Sequence, residues 1–354
     1  MKIKHSSSSI NVKDYKYIKR VFDNNFVGVG NITILLENIL ANFTKKEYCK
    51  VVNNGSNALL LALLVLKKEF PNKNEVITSS YICPAVINSI LQANLVPVLV
   101  DINSSNLNIN VNELSRKINN KILTVIIPHL AGIPVNLNKI EDVNIPIIND
   151  CAQAIGSKIN NKPVGYYGDF CIYSFGSTKM ITGGIGGAIL TNNSKYFRIV
   201  NELISYEKTP SYYIKYGINM SYNMKISDVN SAIIISQLNK INDFIQRRRY
   251  IAQKYDECFR HNKKYLVQSE NKDEYFNRYR YYILTDNVIE INNYLSSKGI
   301  ESKNSISHNI AKYYKLDNFK NLNILSKKVI SMPIYPEITE DILDSILNAL
   351  GNKI

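Results

Sequence analysis

Four apolar runs rich in β-branched residues recur between positions 76 and 150 and constrain the fold more than any other feature of the chain. They are VITSS (76–80), VPVLVDI (96–102), ILTVIIPHL (122–130) and IPIIND (145–150). Their apolar residues are continuous instead of alternating, which is typical of strands buried on both faces of a sheet. Because helical stretches separate them, we predict an α/β domain whose mostly parallel sheet is flanked by helices on both sides.

The C-terminal third has a different pattern, which predicts a second, smaller domain. One long amphipathic helix is predicted over residues 226–259, where Ser227 or Asp228 can cap the first turn. After it come the strand candidate YRYYILT, a helical segment that Gly299 ends, and the helical segment ITEDILDSILNALG. Since 354 residues exceed what one core usually holds, we predict a large domain, 1–240, and a small C-terminal α+β domain, 241–354.

The cysteines and the N-terminal residues predict a cytoplasmic location. The five cysteines are odd in number, widely spaced and without a C-x-x-C pair, so neither a disulfide framework nor a zinc site is indicated. The N-terminal residues lack the apolar core of a signal peptide, and no segment approaches about 18 uninterrupted apolar residues. We expect an unexported protein with no metal site and no membrane insertion.

The chain is basic, with 43 lysines and arginines against 29 acidic residues and a net charge of +14. Such a balance can indicate a nucleic-acid partner. The lysines are scattered, however, and the densest run, Arg247 to Arg249, fits a solvated helix face. We therefore expect no nucleic-acid partner. The positive net charge would equally attract an anionic small substrate such as a nucleotide.

A small-residue turn at positions 53–57 precedes an almost wholly apolar helix. Its sequence is Asn53-Asn54-Gly55-Ser56-Asn57. The N-terminus of a helix presents backbone N–H groups and the positive end of the helix dipole. The turn therefore predicts an anion site suited to a phosphate, although an ordinary helix cap has the same pattern.

Asp150 ends the fourth apolar run, and Gln153 follows closely. Ligands of parallel sheets bind at the carboxyl ends of the strands, so this acid faces the predicted site. A carboxylate there can keep a pyridine nitrogen protonated, and Gln153 can hydrogen-bond a ring hydroxyl. The alternative is that Asp150 only caps a helix.

Lys179 lies between the strand-like DFCIYS and a glycine-rich segment, GGIGG, at 183–187. A lysine shielded from solvent at such a place has a lowered pKa and can act as a nucleophilic amine. Most lysines are solvated surface charges, and the glycines alone fit a tight turn. GGIGG does not have the spacing of a dinucleotide-binding motif.

The order of these segments resembles that of the DegT/StrS sugar aminotransferases, which are pyridoxal 5'-phosphate (PLP) enzymes of fold type I. The resemblance runs from FVGVGNITILLENILANF through NNGSNALLLAL, PHLAGIPVNL, NDCAQAIGSKINNKPVGYYGDFCIYSFGSTK and GGIGGAILT to SMPIYPEIT at 331–339. It covers nearly the whole chain. It implies an aspartate-aminotransferase-like large domain with a small C-terminal domain.

By that resemblance, Lys179 carries PLP as a Schiff base and is the catalytic base that moves a proton between the donor's Cα and the C4′ carbon of the cofactor. Asp150 pairs with the pyridine nitrogen, Gln153 lies near the ring hydroxyl, and Ala152 packs against one ring face. The residues implied to hold the phosphate are Gly55, Ser56 and Ser174, with Asn57 beside them. Asn223 is implied to reach the phosphate of the neighbouring subunit, which predicts a homodimer with shared active sites.

Two positions depart from the family pattern. The aromatic residue that usually stacks on the cofactor aligns with Cys83, so either the stack is lost or Tyr81 supplies it. The acidic residue common before the last two glycines is Ile185 here, so the loop after Lys179 is expected to lack its usual contacts.

The resemblance implies transfer of an amino group from an amino acid, with glutamate expected, to a keto group of a nucleotide-linked deoxysugar for polysaccharide or glycan biosynthesis. The cofactor becomes pyridoxamine 5'-phosphate halfway through. Lys179 argues against the related dehydratases, which have histidine at that position. The alternatives are the same chemistry on a non-nucleotide ketone and a non-catalytic regulatory protein. His308, Tyr313 and Tyr314 are candidates to line the sugar pocket, and surface placement is the alternative for them.

Overall fold

The computed structural model describes residues 2–137, 140, 144–204, 221–259, 262, 264–316 and 318–351. The helices of these residues are α1 (Tyr15–Asp23), α2 (Asn31–Thr44), α3 (Gly55–Glu69), α4 (Pro84–Gln92), α5 (Val111–Lys117), α6 (Ser194–Leu203), α7 (Asp228–Leu238), α8 (Ile241–Phe259), α9 (Val288–Ser297), α10 (Ile310–Tyr313), α11 (Lys320–Leu325) and α12 (Glu340–Gly351). Short 3-10 helices lie at Val12–Asp14, Leu130–Gly132 and Val164–Tyr166.

The strands of the same residues are short, and seven of them form one sheet. They are β1 (Tyr48–Val52), β2 (Glu75–Ser79), β3 (Tyr81–Ile82), β4 (Val96–Val100), β5 (Ile122–Pro128), β6 (Ile147–Asp150), β7 (Lys158–Ile159), β8 (Lys162–Pro163), β9 (Phe170–Ser174), β10 (Gly187–Thr191), β11 (Leu266–Val267), β12 (Glu274–Tyr275), β13 (Tyr281–Leu284), β14 (His308–Asn309) and β15 (Val329–Met332).

The central sheet of the large domain has the strand order β1-β10-β9-β6-β5-β2-β4. β10 runs antiparallel to both of its neighbours, and the other pairs are parallel. Every residue of β5 is buried, as its unbroken apolar sequence predicts. The predicted mostly parallel sheet is therefore confirmed.

Helices cover both faces of this sheet. Ile172 of β9 packs in a core that includes the apolar residues of α3, whereas its neighbour Tyr173 packs in another core with α2 and α7. Successive side chains of a strand point to opposite faces, so the two cores lie on opposite sides of the sheet. With both faces covered, the carboxyl ends of the parallel strands are where a ligand can enter.

A second, smaller sheet has the order β11-β13-β15 and is antiparallel. Its buried side chains form a core with α8, α9 and α12, and Ile3 from the N-terminal segment packs into it. In α8, Ile245 packs in the large-domain core and Tyr255 packs in this smaller core. The division of the chain at residue 240 stays a prediction, because α8 serves both cores.

The helical segment predicted over residues 226–259 is two helices. Ser227 caps α7 as predicted, since its side-chain oxygen accepts a hydrogen bond from the backbone of Asn230 at 3.3 Å. The prediction of one continuous helix is wrong because the chain turns at Asn239 and Lys240. Lys240 Nζ lies 2.6 Å from the Asp14 carboxylate, so this turn is where the chain meets the N-terminal segment.

The run Arg247 to Arg249 departs from the predicted solvated face. Arg248 is buried, with 3% of its surface exposed. Its guanidinium donates hydrogen bonds to the backbone oxygens of Ile334 at 2.6 Å and Tyr279 at 3.2 Å. The partners that make burial of this charge possible come from distant parts of the chain, so the local charge pattern does not predict it.

No helix within the described ranges is long and apolar enough to cross a membrane. The apolar helix α3 has 15 residues and ends with Lys67, Lys68 and Glu69. A membrane-spanning helix needs about 20 predominantly apolar residues. The apolar sequence of α3 therefore reflects its position in the core of the large domain.

Candidate active site

A cavity of about 180 Å³ lies at the carboxyl ends of the central strands and is lined by seven of the ten predicted site residues. These seven are Gly55, Ser56, Cys83, Asp150, Ala152, Ser174 and Lys179, and the apolar residues Leu59, Ala85, Val86 and Ile172 complete the lining. A larger cavity of about 400 Å³ is lined mainly by asparagines and contains no lysine. The smaller cavity is therefore the candidate active site.

The N-terminus of α3 and the end of β9 form one wall of this cavity. Asn54 caps α3, since its side-chain oxygen accepts a hydrogen bond from the backbone of Asn57 at 2.8 Å. A Cβ atom at Gly55 would lie 2.8 Å from the Cβ of Ser174, so only glycine allows this close approach. The approach places the Ser174 side chain beside the first N–H groups of the helix, which have no partners inside the helix. Together with Ser56 they form a suitable anion site.

Asp150 occupies the carboxyl end of β6, between β5 and β9. Its Oδ1 accepts a hydrogen bond from the backbone N–H of Ala152 at 3.1 Å. Burial raises the pKa of Asp150 above its ordinary value, while the Ala152 N–H and the positive charge of Lys179 act in the opposite direction. A cation in the cavity, such as a protonated pyridine nitrogen, would stabilise the ionised carboxylate further.

Lys179 follows β9 in a turn that the glycine-rich segment supports. Its backbone N–H donates to the oxygen of Gly176 at 3.0 Å, and Gly183 N–H donates to the oxygen of Phe175 at 3.0 Å. The side-chain amine lies 6.0 Å from the centre of the Tyr279 ring. The turn therefore directs an amine toward both the cavity and the smaller domain.

Tyr279 was not predicted as a site residue. Its hydroxyl donates a hydrogen bond to the backbone oxygen of Thr178, the residue before Lys179, at 3.1 Å. Burial alone would raise the pKa of Tyr279, but the positive charges of Arg280, Lys179 and Arg248 together lower it. No local sequence motif marks this tyrosine, because it meets Thr178 only in the fold, across 101 positions of the chain.

Three predicted residues do not line the cavity. The Gln153 Oε1 accepts a hydrogen bond from the backbone of Ala131 at 2.8 Å, which leaves its NH₂ group as the end that can donate to a ligand. The Asn57 side chain instead donates to Asn53 at 2.7 Å. Asn223 is exposed and precedes α7. The roles predicted for these three residues stay predictions.

Cys83 and Tyr81 have different environments. Cys83 is exposed and lines the cavity. Tyr81 is buried, and its hydroxyl oxygen accepts hydrogen bonds from the backbones of Ile306 at 3.1 Å and Ser307 at 3.3 Å. The geometry therefore favours the first alternative: no aromatic side chain stacks on the cofactor, and Cys83 occupies that position.

The other positions singled out in the sequence lie around the cavity or on the surface. Ile185 is exposed, 56% of its surface being accessible. His308 pairs with Ile82 across β14 and β3, one residue from Cys83, which places it near the cavity mouth. Tyr313 and Tyr314 are exposed. Tyr313 is the last residue of α10, and Tyr314 comes directly after it.

The residues around the cavity match the chemical groups of PLP. A helix N-terminus with two serines suits the phosphate, the Asp150 carboxylate suits the pyridine nitrogen, and the Lys179 amine suits the aldehyde. The glycine at position 55, where a Cβ would touch Ser174, leaves the space that a phosphate needs close to the backbone. The cavity therefore fits this cofactor.

Comparison with known proteins relates the whole chain to a single family. The model of the DegT/DnrJ/EryC1/StrS aminotransferase family matches residues 8–351. The GDP-perosamine synthase of Escherichia coli O157:H7 is 30% identical over 305 residues, which cover 83% of this chain and 82% of that protein. The GDP-perosamine synthase of Vibrio cholerae is 28% identical over an alignment that covers 97% of each chain.

A solved structure shares the fold. Helicobacter pylori PseC, described as an aminotransferase involved in the biosynthesis of pseudoaminic acid, superposes with a TM-score of 0.90 at 22% identity. The superposition covers 99% of this chain and 98% of that chain. The predicted α/β architecture of the aspartate-aminotransferase type is confirmed.

Proposed function

This chain belongs to the DegT/DnrJ/EryC1/StrS aminotransferase family, and from this premise we propose that it moves an amino group from an amino acid to a keto group of a nucleotide-linked deoxysugar. The chain is an aminotransferase, and its cofactor is PLP, as predicted. The observation that carries the proposal is the joint lining of one cavity by Lys179, Asp150 and the N-terminus of α3.

Each of these groups has a distinct task in the proposed reaction. PLP, when bound, supplies an electron sink that stabilises negative charge at the donor's Cα. The Lys179 amine would hold the aldehyde carbon of PLP and would act as the base that moves the proton at the donor's Cα. Asp150 keeps a proton on the ring nitrogen by offering it a partly buried carboxylate. The cradle at Gly55, Ser56 and Ser174 holds the phosphate.

The acceptor is proposed to be a nucleotide-linked keto sugar, because two relatives that align with most of the chain are named GDP-perosamine synthases. A net charge of +14 favours a substrate that carries phosphates. His308, beside the cavity mouth, is a candidate contact for the sugar. The proposed donor is glutamate, and the proposed setting is the synthesis of a surface polysaccharide or glycan in the cytoplasm.

The proposed assembly is a homodimer in which Asn223 reaches the phosphate site of the neighbouring subunit. An exposed apolar surface in and around α1 and α2 supports it, since large exposed apolar patches mark interfaces. The exposed residues are Ile10, Val12, Tyr15, Phe22, Phe26, Val27, Val29, Ile34 and Leu35. Sedimentation of the purified protein should give the mass of a dimer, and replacing Phe22 and Phe26 by serine should shift it toward the monomer. A wild-type monomer with full activity would contradict the shared site.

The activity is tested with the PLP-loaded protein, glutamate and a set of nucleotide-linked keto sugars made in situ. Mass spectrometry should detect the amino sugar nucleotide from one of them, and the absorbance of the lysine-bound cofactor should fall when glutamate alone is added. The Lys179→Ala variant is the control and should give neither signal. Amination of non-nucleotide ketones alone would overturn the nucleotide assignment, and a protein that cannot be loaded with PLP would overturn the enzyme assignment.

A further inference from the structure

A second cavity, of about 400 Å³, is formed by residues of the segments 103–112 and 134–136 together with Glu274 of β12, and we call it the asparagine cavity. The two segments follow β4 and β5, so they lie beyond the carboxyl ends of parallel strands, where ligands of such sheets bind. None of its described lining residues belongs to the candidate active site. Its volume lies within the range of small-molecule sites, which is roughly 300 to 1,000 Å³.

Asn103 and Asn106 line the asparagine cavity with side chains whose oxygens are already hydrogen-bonded. Asn103 Oδ1 accepts from the backbone N–H of Ser105 at 2.8 Å and from the hydroxyl of the same residue at 2.7 Å. Asn106 Oδ1 accepts from the backbone N–H of Asn108 at 3.2 Å. Within the described ranges of the chain, no acceptor binds the NH₂ group of Asn103 or Asn106. These two groups can therefore donate to a ligand.

Asn110 and Asn108 repeat this pattern in the same lining. Asn110 caps α5, since its Oδ1 accepts from the backbone N–H groups of Asn112 at 3.1 Å and Glu113 at 3.2 Å. Asn108 is buried, with 2% of its surface exposed, and its Oδ1 accepts from the backbone N–H of Leu130 at 2.8 Å. The Asn108 NH₂ group is buried and has no hydrogen-bond partner among the described residues. Since an unpaired buried donor is unfavourable, an acceptor on a ligand would be stabilising here.

Glu274 is the one ionisable side chain among the described residues of this lining. Its Oε2 accepts hydrogen bonds from the backbone and the side chain of Asn271, both at 3.1 Å, and no donor in the described part of the chain binds its other oxygen. A carboxylate in a lining whose described residues include no lysine or arginine disfavours a phosphate and accepts an N–H from a neutral ligand. Val111 and Pro134 add apolar surface.

We propose that the asparagine cavity binds the acetamido group of a neutral N-acetylated sugar. Its NH₂ groups donate without accepting, and a carbonyl oxygen accepts without donating, so the two are complementary. The acetamido N–H suits the Glu274 carboxylate, and the acetamido methyl group suits the apolar surface of Val111 and Pro134. A sugar hydroxyl both donates and accepts, so it uses a lining of donors less fully. This site is separate from the candidate active site, and the proposal does not depend on the proposed function.

Matched sugars test the ligand class. N-acetylglucosamine and N-acetylgalactosamine are titrated into the PLP-loaded protein and followed by ligand-observed NMR, with glucose and galactose as the partners that lack the acetamido group. We expect each N-acetylated sugar to bind about tenfold more tightly than its partner, because it gains hydrogen bonds of the carbonyl oxygen and the N–H. Equal binding within both pairs, or no binding, would overturn the proposal. N-acetylalanine methylamide carries the same group without a sugar, and tighter binding of this probe would assign the cavity to a peptide and also overturn it.

Two conservative substitutions test the donors. Asn106→Asp and Asn110→Asp keep an oxygen for the backbone N–H groups but remove the NH₂ groups, and together they should weaken N-acetylglucosamine binding by about tenfold or more. The matched control is Asn193→Asp. Asn193 caps α6 in the same way, accepting from the backbones of Lys195 at 2.9 Å and Tyr196 at 3.1 Å, and it does not line the asparagine cavity. Urea unfolding verifies that each variant is folded. Unchanged binding in the folded double variant would contradict the proposal.

Competition distinguishes this cavity from the candidate active site. UDP, GDP or glutamate, added to the PLP-loaded protein with N-acetylglucosamine bound, should not displace the sugar, because the described linings of the two cavities share no residue. Displacement by any of these three compounds, together with unchanged binding in the double variant, would place the sugar in the candidate active site and overturn the proposal.

Discussion

Asp150 and Lys179 line the same cavity, and the positive charge of Lys179 acts on the Asp150 carboxylate. The Lys179 charge lowers the pKa of Asp150 while burial raises it. A protonated pyridine nitrogen held beside Asp150 would add a second positive charge and would favour the ionised carboxylate. The pair is therefore suited to a cofactor that alternates between being bound to the lysine and being released from it.

Replacing Asp150 by asparagine tests the role of its charge. The amide keeps the shape and the contact with Ala152 but cannot hold a proton on the ring nitrogen. We expect PLP to bind and the rate of cofactor conversion by glutamate to fall by about 100-fold or more, as when an electrostatic stabiliser is removed. Stopped-flow absorbance measures this rate. An unchanged rate would show that Asp150 has no role in the reaction.

The reactivity of Cys83 tests whether this residue lies beside the cofactor, where relatives usually have an aromatic side chain. It is exposed, whereas Cys49, Cys151 and Cys171 are buried and Cys258 is partly buried. Because Cys83 lines the cavity, a maleimide should modify it first in the cofactor-free protein and more slowly once PLP is bound. Mass mapping of the modified peptide gives the site, with Cys83→Ser as control. Equal rates with and without PLP would place the cofactor away from Cys83.

Among the secondary-structure elements, the close approach of α3 to β9 brings Gly55 next to Ser174 and forms the proposed phosphate cradle. A methyl group at Gly55 would lie 2.8 Å from Ser174 Cβ and 3.3 Å from the Tyr173 oxygen, so Gly55→Ala must push the helix and strand apart. We expect PLP affinity to fall by about tenfold or more, the value of one charge-assisted hydrogen bond. The control is Gly351→Ala, where no atom lies within 4 Å. Equal PLP affinity in both variants would contradict a phosphate at this cradle.

The elements also show which features a sequence can predict. The strands β2, β5 and β6 were predicted because burial on both faces requires continuous apolar runs, which are visible locally. The edge strand β4 was predicted from the same pattern, although Val96 at its start is exposed. The break between α7 and α8 was not predicted. Lys240, at the break, pairs with Asp14, and these residues are 226 positions apart in the chain, so no local pattern shows their contact. In the same way, Asp150 and Lys179 follow strands and were found, whereas Tyr279 has no motif and reaches Thr178 across 101 positions of the chain.

At the scale of the whole molecule, two buried neutral histidines link stability to pH. His129 accepts a hydrogen bond from the backbone of Val135 and contacts the Asn149 side chain, both at 3.0 Å. Burial lowers the pKa of His129 from 6.5 to about 4 and that of His5 to about 3. The unfolded chain therefore binds protons below pH 6.5 that the folded protein does not. The contribution of these histidines to the free energy of unfolding is fully present above that pH. It declines as the pH falls toward the pKa values of the folded protein.

The His129→Asn variant tests this linkage, because asparagine keeps an acceptor for Val135 and does not titrate. For His129 the loss of stability between pH 6.5 and 4 should be about 3 kcal/mol. We expect the variant to be less stable at pH 7 but to lose less stability on acidification, as measured by urea unfolding across that range. The same pH dependence in both proteins would contradict the assignment of His129 as a buried neutral residue.

Borohydride reduction followed by peptide mapping identifies the lysine that carries the cofactor, which we expect to be Lys179. Reduction should fix PLP permanently to the wild type, with the label on the peptide that contains Lys179. Lys179→Ala should bind PLP only reversibly and lose it on denaturation after the same treatment. A label on any other lysine of the wild type would contradict the site described here.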